Sequence, residues 1–319
     1  MKLGHFDLRD GHLRRQEVCV KCEICSSDSG IEHSIREMMF GTRREFPYWE
    51  CLGCGCLQIM TVPDNLRDYY SSEYYSFGVR ASNWKSLYYR AHFAIPHLMR
   101  LFRRCSEDLS SVISVKPTFG ARILDVGCGG GRLVSILRSL GFDAYGIDPY
   151  MEGESISPYL RNSTLEEAGE GWNLIMLHHS LEHMRNNVEV LRCIRGKLAA
   201  GGVCLVRIPV ATWAWEHYGT DWVQLDAPRH LVIHTLKSFQ LTAELAGFEV
   251  QDIIYDSNEF QFIGSELYRR DIPLNVYHAR EQFTRSDKRK FRALAEKLNG
   301  EQRGDQAAFY LRDNRPYGM

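Results

Sequence analysis

Residues 123–131 read Ile123-Leu124-Asp125-Val126-Gly127-Cys128-Gly129-Gly130-Gly131. An apolar run from Ala121 to Val126 delivers the chain into a turn crowded with glycine. Glycine takes positive φ without steric cost, so the backbone there can bend sharply and come close to a ligand. Leu133 to Leu140 follows with helical spacing and is stopped by Gly141. Ala144–Ile147, Trp172–Leu177, Val203–Ile208 and Phe248–Tyr255 read as further strands. Between them lie the helical patterns Val188–Leu198, ended by Gly201-Gly202, and Leu236–Ala246, ended by Gly247. Strands alternating with helices over short connections predict a parallel α/β sheet.

In open sheets of this kind ligands bind at the carboxyl ends of the strands. Two acids sit there. Asp125 precedes the first glycine by two positions, and Asp148 ends the next strand in Gly146-Ile147-Asp148-Pro149, 23 residues further on. A carboxylate at Asp148 can accept both hydroxyl hydrogens of a ribose. A carboxylate at Asp125 would repel a pyrophosphate but suits a ligand with a cationic amino-acid end, and the spacing is not that of the dinucleotide G-x-G-x-x-G turn.

These residues resemble the first motif of class I S-adenosylmethionine methyltransferases. The resemblance continues through His178-His179-Ser180-Leu181-Glu182-His183-Met184 and Leu198-Ala199-Ala200-Gly201-Gly202, which is similar to the ubiquinone-type O-methyltransferase branch. It spans roughly residues 118 to 257, with Gln306–Arg312 as a further match. It implies a Rossmann-like sheet, mostly parallel with an antiparallel last strand. It also implies that Asp125, Gly127, Cys128, Gly129 and Gly131 face the methionine end and Asp148-Pro149 the ribose. By the same resemblance Thr164 and Leu165 lie near the adenine, and His178 or His179 lies beneath the cofactor. His178-His179-Ser180-Leu181 stands where enzymes that methylate nucleobase amines carry Asn or Asp, two prolines and an aromatic, which argues against that chemistry.

A second signal lies upstream. Cys22-Glu23-Ile24-Cys25 and Cys51-Leu52-Gly53-Cys54 are two C-x-x-C pairs separated by 25 residues, the spacing of a closed four-thiolate structural zinc site. Cys19 with Cys22, and Cys56 beyond Cys54, offer an alternative set. The inner set is preferred because Ser26-Ser27 and Gly55 supply the small residues a knuckle needs. A redox role would require a C-x-x-C opening a helix. So small a unit buries little core, which makes metal a source of its folding energy. The Cys51-x-x-Cys54-Gly55 form, with Tyr69-Tyr70 and Tyr74-Tyr75 downstream, resembles zinc ribbons that precede methyltransferase domains in bacterial sugar and polysaccharide gene clusters.

The stretch 213–234 is the candidate acceptor site. It carries Trp213, Trp215 and Trp222 with His217, His230 and His234, and follows the strand that ends at Pro209. Aromatic faces with interleaved polar groups suit a sugar ring, and Trp213, Trp222 and Arg229 are the expected substrate contacts. The plainer alternative is that the aromatics pack the loop onto the sheet. Tyr70 and Tyr75 are expected in a lid. An alcohol or phenol acceptor must lose a proton, and histidine is the economical base. His230, His179 and His183 are the candidates in that order, with His183 beside Glu182 alternatively capping a helix.

Bulk properties bound the rest. The chain has 319 residues, 44% hydrophobic and 25% charged, with a formal net charge of −1. That balance describes a folded globular protein and gives no global electrostatic case for nucleic acid. No apolar run reaches the ~18 residues of a membrane span, and the polar Met1–Arg15 lacks a signal-peptide core, so a cytoplasmic location is expected. The expected parts are a zinc ribbon over 1–62, a tyrosine-rich and helical linker over 63–117, and a methyltransferase domain over 118–319 with a helical insertion at about 258–304. The expected function is methyl transfer from S-adenosylmethionine to a hydroxyl of a sugar, glycan or other small metabolite. Its rivals are a zinc-ribbon RNA methyltransferase and a degenerate fold acting as a binding protein. The sequence leaves open the acceptor, O- against C- or N-transfer, the base and the oligomeric state.

Overall fold

A computed structural model describes residues 21–70, 107–151, 157–276 and 279–314. Most of the helical linker expected over 63–117 lies outside these residues, as do Cys19 and Tyr75. Its last turns are present as α1, Glu107–Ser114.

The catalytic half is one seven-stranded sheet. Its strands are β4 (Arg122–Val126), β5 (Asp143–Ile147), β6 (Leu160–Arg161), β7 (Trp172–His178), β8 (Leu198–Pro209), β10 (Phe248–Tyr255) and β11 (Gln306–Asp313). They lie in the order β10-β11-β8-β7-β4-β5-β6. Pairings from β8 through β7, β4 and β5 to β6 are all parallel, and β11 runs antiparallel to both β8 and β10. The order reverses at β4, so its carboxyl end opens the crevice in which such sheets bind ligands. The mostly parallel Rossmann-like sheet with an antiparallel last strand is therefore what the chain forms.

Helices cover the faces. α2 (Arg132–Ser139) buries Leu133, Val134 and Leu137 and stops at Gly141, whose φ is 94°. α3 (Asn187–Lys197) buries Leu191 and Ile194. The strand expected to start at Val203 begins at Leu198, five residues earlier, so Gly201-Gly202 lies inside β8 rather than in a helix-ending turn. α5 (Leu236–Leu245) opens on a capping box between Thr235 and Ser238.

The cysteine-rich segment forms a second sheet: β1 (Gly30–Arg36), β2 (Glu45–Cys51), β3 (Leu57–Ile59) and β9 (Val232–Ile233), in that order. Its fourth strand comes from the other half of the chain. Its core continues into α4 (Trp213–Tyr218), α6 (Phe260–Arg269) and α7 (Arg285–Gly300): Tyr48, Trp49, Leu57 and Ile59 share one apolar cluster with Ala214, Phe262, Leu267 and Leu298. Among the described residues no helix is long and apolar enough to cross a membrane.

Candidate active site

The glycine turn after β4 is closed by its neighbours. The amides of Gly127 and Cys128 donate to the carbonyl of Ile147 at 2.8 and 3.2 Å. Gly127 sits at φ 77° with Ser180 so near that an added Cβ would lie 2.5 Å from the Ser180 Cβ. Ser180 in turn donates to the carbonyl of Val126 at 2.7 Å. At Gly131, φ 70°, a Cβ would stand 2.4 Å from Leu160. Side chains are thus excluded from the turn on both flanks.

Asp148 is buried, and each of its oxygens accepts one backbone amide, from Gly129 at 2.9 Å and from Tyr150 at 2.8 Å. A carboxylate oxygen has a second lone pair, so Asp148 keeps acceptor capacity for two hydroxyls. Asp125 is 4% exposed and its Oδ1 has no partner. Burial, reinforced by Asp108 and Asp148, pushes its carboxyl up to about 8. An orphaned buried carboxyl beside a glycine cradle is the environment that a cationic ammonium relieves. Pro149 and Thr164 are exposed at the rim, while Leu165 is buried in the core with Val126 and Ile147. Leu165 therefore supplies packing under the sheet's edge rather than an open contact. Cys128 is partly buried, its Sγ 3.7 Å from the Gly129 carbonyl.

The histidines after β7 separate into three environments. Both ring nitrogens of His178 are buried without a partner, and burial pushes it down to about 3. His179, at φ 52°, is locked: Arg207 donates to its Nε2 at 2.9 Å, so the ring hydrogen is on Nδ1, 3.2 Å from Glu182 Oε1. With both nitrogens engaged it has no lone pair for a substrate, and its expected place as a base is corrected to an orienting contact. Burial pushes Glu182 up, but the hydrogen bond and charge of His179, with His230 and His183, outweigh it and hold the carboxyl at about 2. Its Oε2 has no partner.

His183 and His230 meet edge to face with centroids 4.8 Å apart. Burial, then the charge of His230, pushes His183 down to about 4. The Nδ1 of His183 lies 3.0 Å from both the Tyr70 hydroxyl and the Arg229 carbonyl. Tyr70 also stacks on Tyr150, 5.0 Å between centroids. The structure thus brings this expected lid residue between His183 and Tyr150. His230 is 3% exposed. Its Nδ1 lies 2.7 Å from the Gln224 carbonyl, which can only accept, so Nδ1 carries the hydrogen and Nε2 the lone pair. That Nε2 stands 3.8 Å from Asp226 and 4.0 Å from Glu182, two acids that would stabilise an imidazolium. Ligand atoms of Glu182, His183 and His230 all lie within 4.8 Å of one another, a spacing open to a divalent cation.

Two expected substrate contacts are elsewhere. Trp222 is fully buried, and its indole donates to Asp305 at 2.9 Å. Arg229 is also fully buried, paired with Asp226 at 2.5 Å and Glu37 at 3.3 Å. Both pack and pin the loop, the plainer alternative, because their polar groups find partners inside the protein. Trp213 is half-buried, stacked on His217 at 4.4 Å and tilted against Phe262.

Sequence reasoning missed the residues that anchor the cluster. Arg207 on β8 joins Asp256 at 2.6 Å, Asp108 at 2.9 Å and His179. The signal was a lone arginine inside the apolar run Val203–Ile208. Glu37 and Tyr48, from the cysteine-rich sheet, carried none.

Upstream, the Sγ atoms of Cys22, Cys25, Cys51 and Cys54 lie within 4.8 Å of one another, with Cys22–Cys54 at 3.5 Å and Cys25–Cys51 at 3.4 Å. The thiolate edge of a zinc tetrahedron is about 3.8 Å, so these side chains fit the ion. Cys56 is a fifth thiol of this cluster, buried, 3.5 Å from both Cys22 and Cys54. Gln58 donates to Cys22 at 3.1 Å and Cys56 at 3.0 Å.

A sheet of this order with a glycine turn and paired acids at its switch point defines a cofactor-binding methyltransferase fold. Residues 88–253, just over half of the chain, match the family described as "Methyltransferase domain". The chain belongs to that family and carries a class I S-adenosylmethionine-dependent methyltransferase domain. It is similar to ubiquinone biosynthesis O-methyltransferases of Azorhizobium caulinodans (29% identity over 160 residues, 44% of this chain, 63% of the relative) and Cereibacter sphaeroides (31% over 140 residues, 39% and 55%). The chain thus spans 55–63% of the length of these curated relatives. Among solved structures it is similar to a SAM-dependent methyltransferase from Archaeoglobus fulgidus, at 18% identity and a TM-score of 0.41, over 65% of this chain and 95% of that one.

Proposed function

We propose that this protein transfers the methyl group of S-adenosylmethionine to a hydroxyl of a sugar, glycan or other small metabolite. The observation that carries the reading is the buried His230, with its hydrogen fixed on Nδ1 and its Nε2 lone pair facing Asp226 and Glu182. The cofactor supplies a methyl group already activated on a sulfonium. The protein has then to align the acceptor and take its proton. Asp125 meets the ammonium, Asp148 the ribose, and the glycine turn leaves room for both. His230 Nε2 takes the proton, and the two acids hold the resulting imidazolium. His183 and Tyr70 close the acceptor's side of the pocket. Transfer to oxygen also agrees with the activity named for the relatives. Cys22, Cys25, Cys51 and Cys54 hold a structural zinc ion. The division we propose is a cysteine-rich zinc ribbon over 1–62, a linker over 63–117 and a methyltransferase domain over 118–319 with a helical insertion at about 258–304.

The test is transfer of labelled methyl to a panel of nucleotide sugars, lipid-linked glycans and catechols. With the acceptor so found, His230→Ala is expected to slow turnover by roughly 100-fold, the usual scale of acid–base help, and to leave S-adenosylhomocysteine affinity unchanged. Full activity in His230→Ala would end its role as base. The unpartnered Oε2 of Glu182 supports a second reading, in which Glu182, His183 and His230 hold a divalent cation. Strict dependence of the transfer on added magnesium or manganese, with the cysteine-bound metal retained, would favour it.

A further inference from the structure

The cysteine-bearing sheet grips the His230 segment along its whole length. Glu37, buried and held by the amides of Phe40 and Thr42, takes Arg229. Tyr48, fully buried in the middle of β2, donates its hydroxyl to the carbonyl of His230 at 2.7 Å. The amide of Ile59 donates to Leu231 at 2.9 Å. Leu57 and Gln58 pair with Ile233 and Val232. Thr235 donates to the carbonyl of Cys54, inside the second knuckle, at 2.7 Å, and Gly55 lies so close to Thr235 that a Cβ there would come within 2.8 Å. Arg185, just beyond the His183 turn, bonds Glu23 in the first knuckle and the carbonyl of Ile59. The glycine turn and Asp148 are instead fixed by β5 and Ser180.

The His230 imidazole has one hydrogen bond that fixes its tautomer, to Gln224. The His230 peptide that carries this ring is held at its carbonyl by Tyr48 and at its amide by the Asp226 carbonyl, 3.3 Å away. A shift of about 1 Å in such a group can cost two orders of magnitude in rate. We propose that Tyr48 is a positioning residue for His230, and that the four-cysteine site, by keeping β2 and β3 in register, sets the tautomer and aim of that imidazole. The cysteine-rich sheet is on this view part of the catalytic machinery. The inference rests on the proposed role of His230, and its test uses readouts that need no acceptor.

The experiment compares parent protein, Tyr48→Phe and parent stripped of metal by a chelator. It records nitrogen spectra of histidine-labelled protein, amide exchange by peptide, metal content and S-adenosylhomocysteine affinity. Tyr48→Phe deletes one hydroxyl and leaves the ring in its packing. The parent is expected to show His230 as a single Nδ1–H tautomer. Tyr48→Phe, with its metal retained, is expected to show a tautomer mixture and about tenfold faster exchange over 229–235, while exchange over 122–148 and S-adenosylhomocysteine affinity stay within about twofold. Stripped parent is expected to reproduce that pattern even if the variant folds poorly. An unmoved tautomer and unchanged exchange over 229–235 in metal-loaded Tyr48→Phe would overturn the proposal. So would loosening spread equally over 122–148, or, in stripped parent, loosening confined to 21–59. Failure of the parent to bind S-adenosylhomocysteine would instead sink the functional reading.

Discussion

Asp125 offers the sharpest quantitative test of the cofactor site. Its carboxyl is buried with one oxygen unpartnered and is held at about 8 in the ligand-free protein by burial, then by Asp108 and Asp148. At neutral pH it is therefore mostly protonated until the ammonium of the ligand arrives. Binding then requires ionisation, and each pH unit below about 8 costs about 1.4 kcal/mol, a factor of about ten. S-adenosylhomocysteine affinity should rise about 50-fold between pH 6 and pH 8 and level off above about pH 9. Calorimetry in two buffers of different ionisation heat should find close to one proton released per ligand near pH 6.5, and fewer as pH passes 8. Asp125→Asn removes the titrating group. At pH 8 it should bind more weakly by about 1.5–3 kcal/mol, the scale of a hydrogen bond to a charged group, and the pH slope should vanish. Stability moves the opposite way. Because the folded value lies above the unfolded one, the contribution of this carboxyl is intact below about 4 and is lost as pH rises towards 8. The Asn variant should therefore gain melting temperature relative to parent as pH increases. An affinity flat from pH 6 to 9 in the parent, or a slope that survives in Asp125→Asn, would refute the assignment.

Three further outcomes are expected. Asp148→Ala should weaken S-adenosylhomocysteine binding by about 1.5–3 kcal/mol, and unchanged calorimetric affinity would remove Asp148 from the site. Purified protein should carry about one zinc per chain by elemental analysis. Cys51→Ser should lose it and Cys56→Ser keep it; the reverse result would exchange the ligand set. Trp222→Phe removes one of the two side-chain hydrogen bonds, with Trp222 and Ser257, that hold the buried Asp305, whose carboxyl burial already pushes up to about 6. It should lower stability by about 1–3 kcal/mol in denaturant titration while leaving KM for the acceptor unchanged, and a raised KM at matched stability would restore the indole to the acceptor pocket.

Local patterns carried the catalytic sheet. The apolar runs ending at Val126, Ile147 and Leu177 became strands because runs this short, bounded by glycine or a polar turn, suit a strand buried on both faces better than a helix. The acids at Asp125 and Asp148 could be read from their offsets to those strand ends. Gly127 and Gly131 are glycine because Ser180 and Leu160 occupy the space a side chain would need. The pattern announces the turn without showing the obstruction.

The stretch 213–234 could not be read in the same way. Composition offered its tryptophans, arginine and histidines as one surface. The structure divides them by partner: Trp222 turns inward to Asp305, and Arg229 turns inward to Asp226 and Glu37, 192 positions away. His179 and His230 are alike as residues, yet Arg207 takes the lone pair of one and Gln224 fixes that of the other. The cysteine spacing could announce a knuckle from sequence, but not that its sheet takes Val232–Ile233 as its fourth strand. What the sequence by itself determined were the features set by neighbours along the chain: strand ends, glycine turns and paired cysteines. Which buried polar group meets which partner, and so which histidine keeps a free nitrogen, depends on contacts between residues far apart in sequence, and only the tertiary structure decides those.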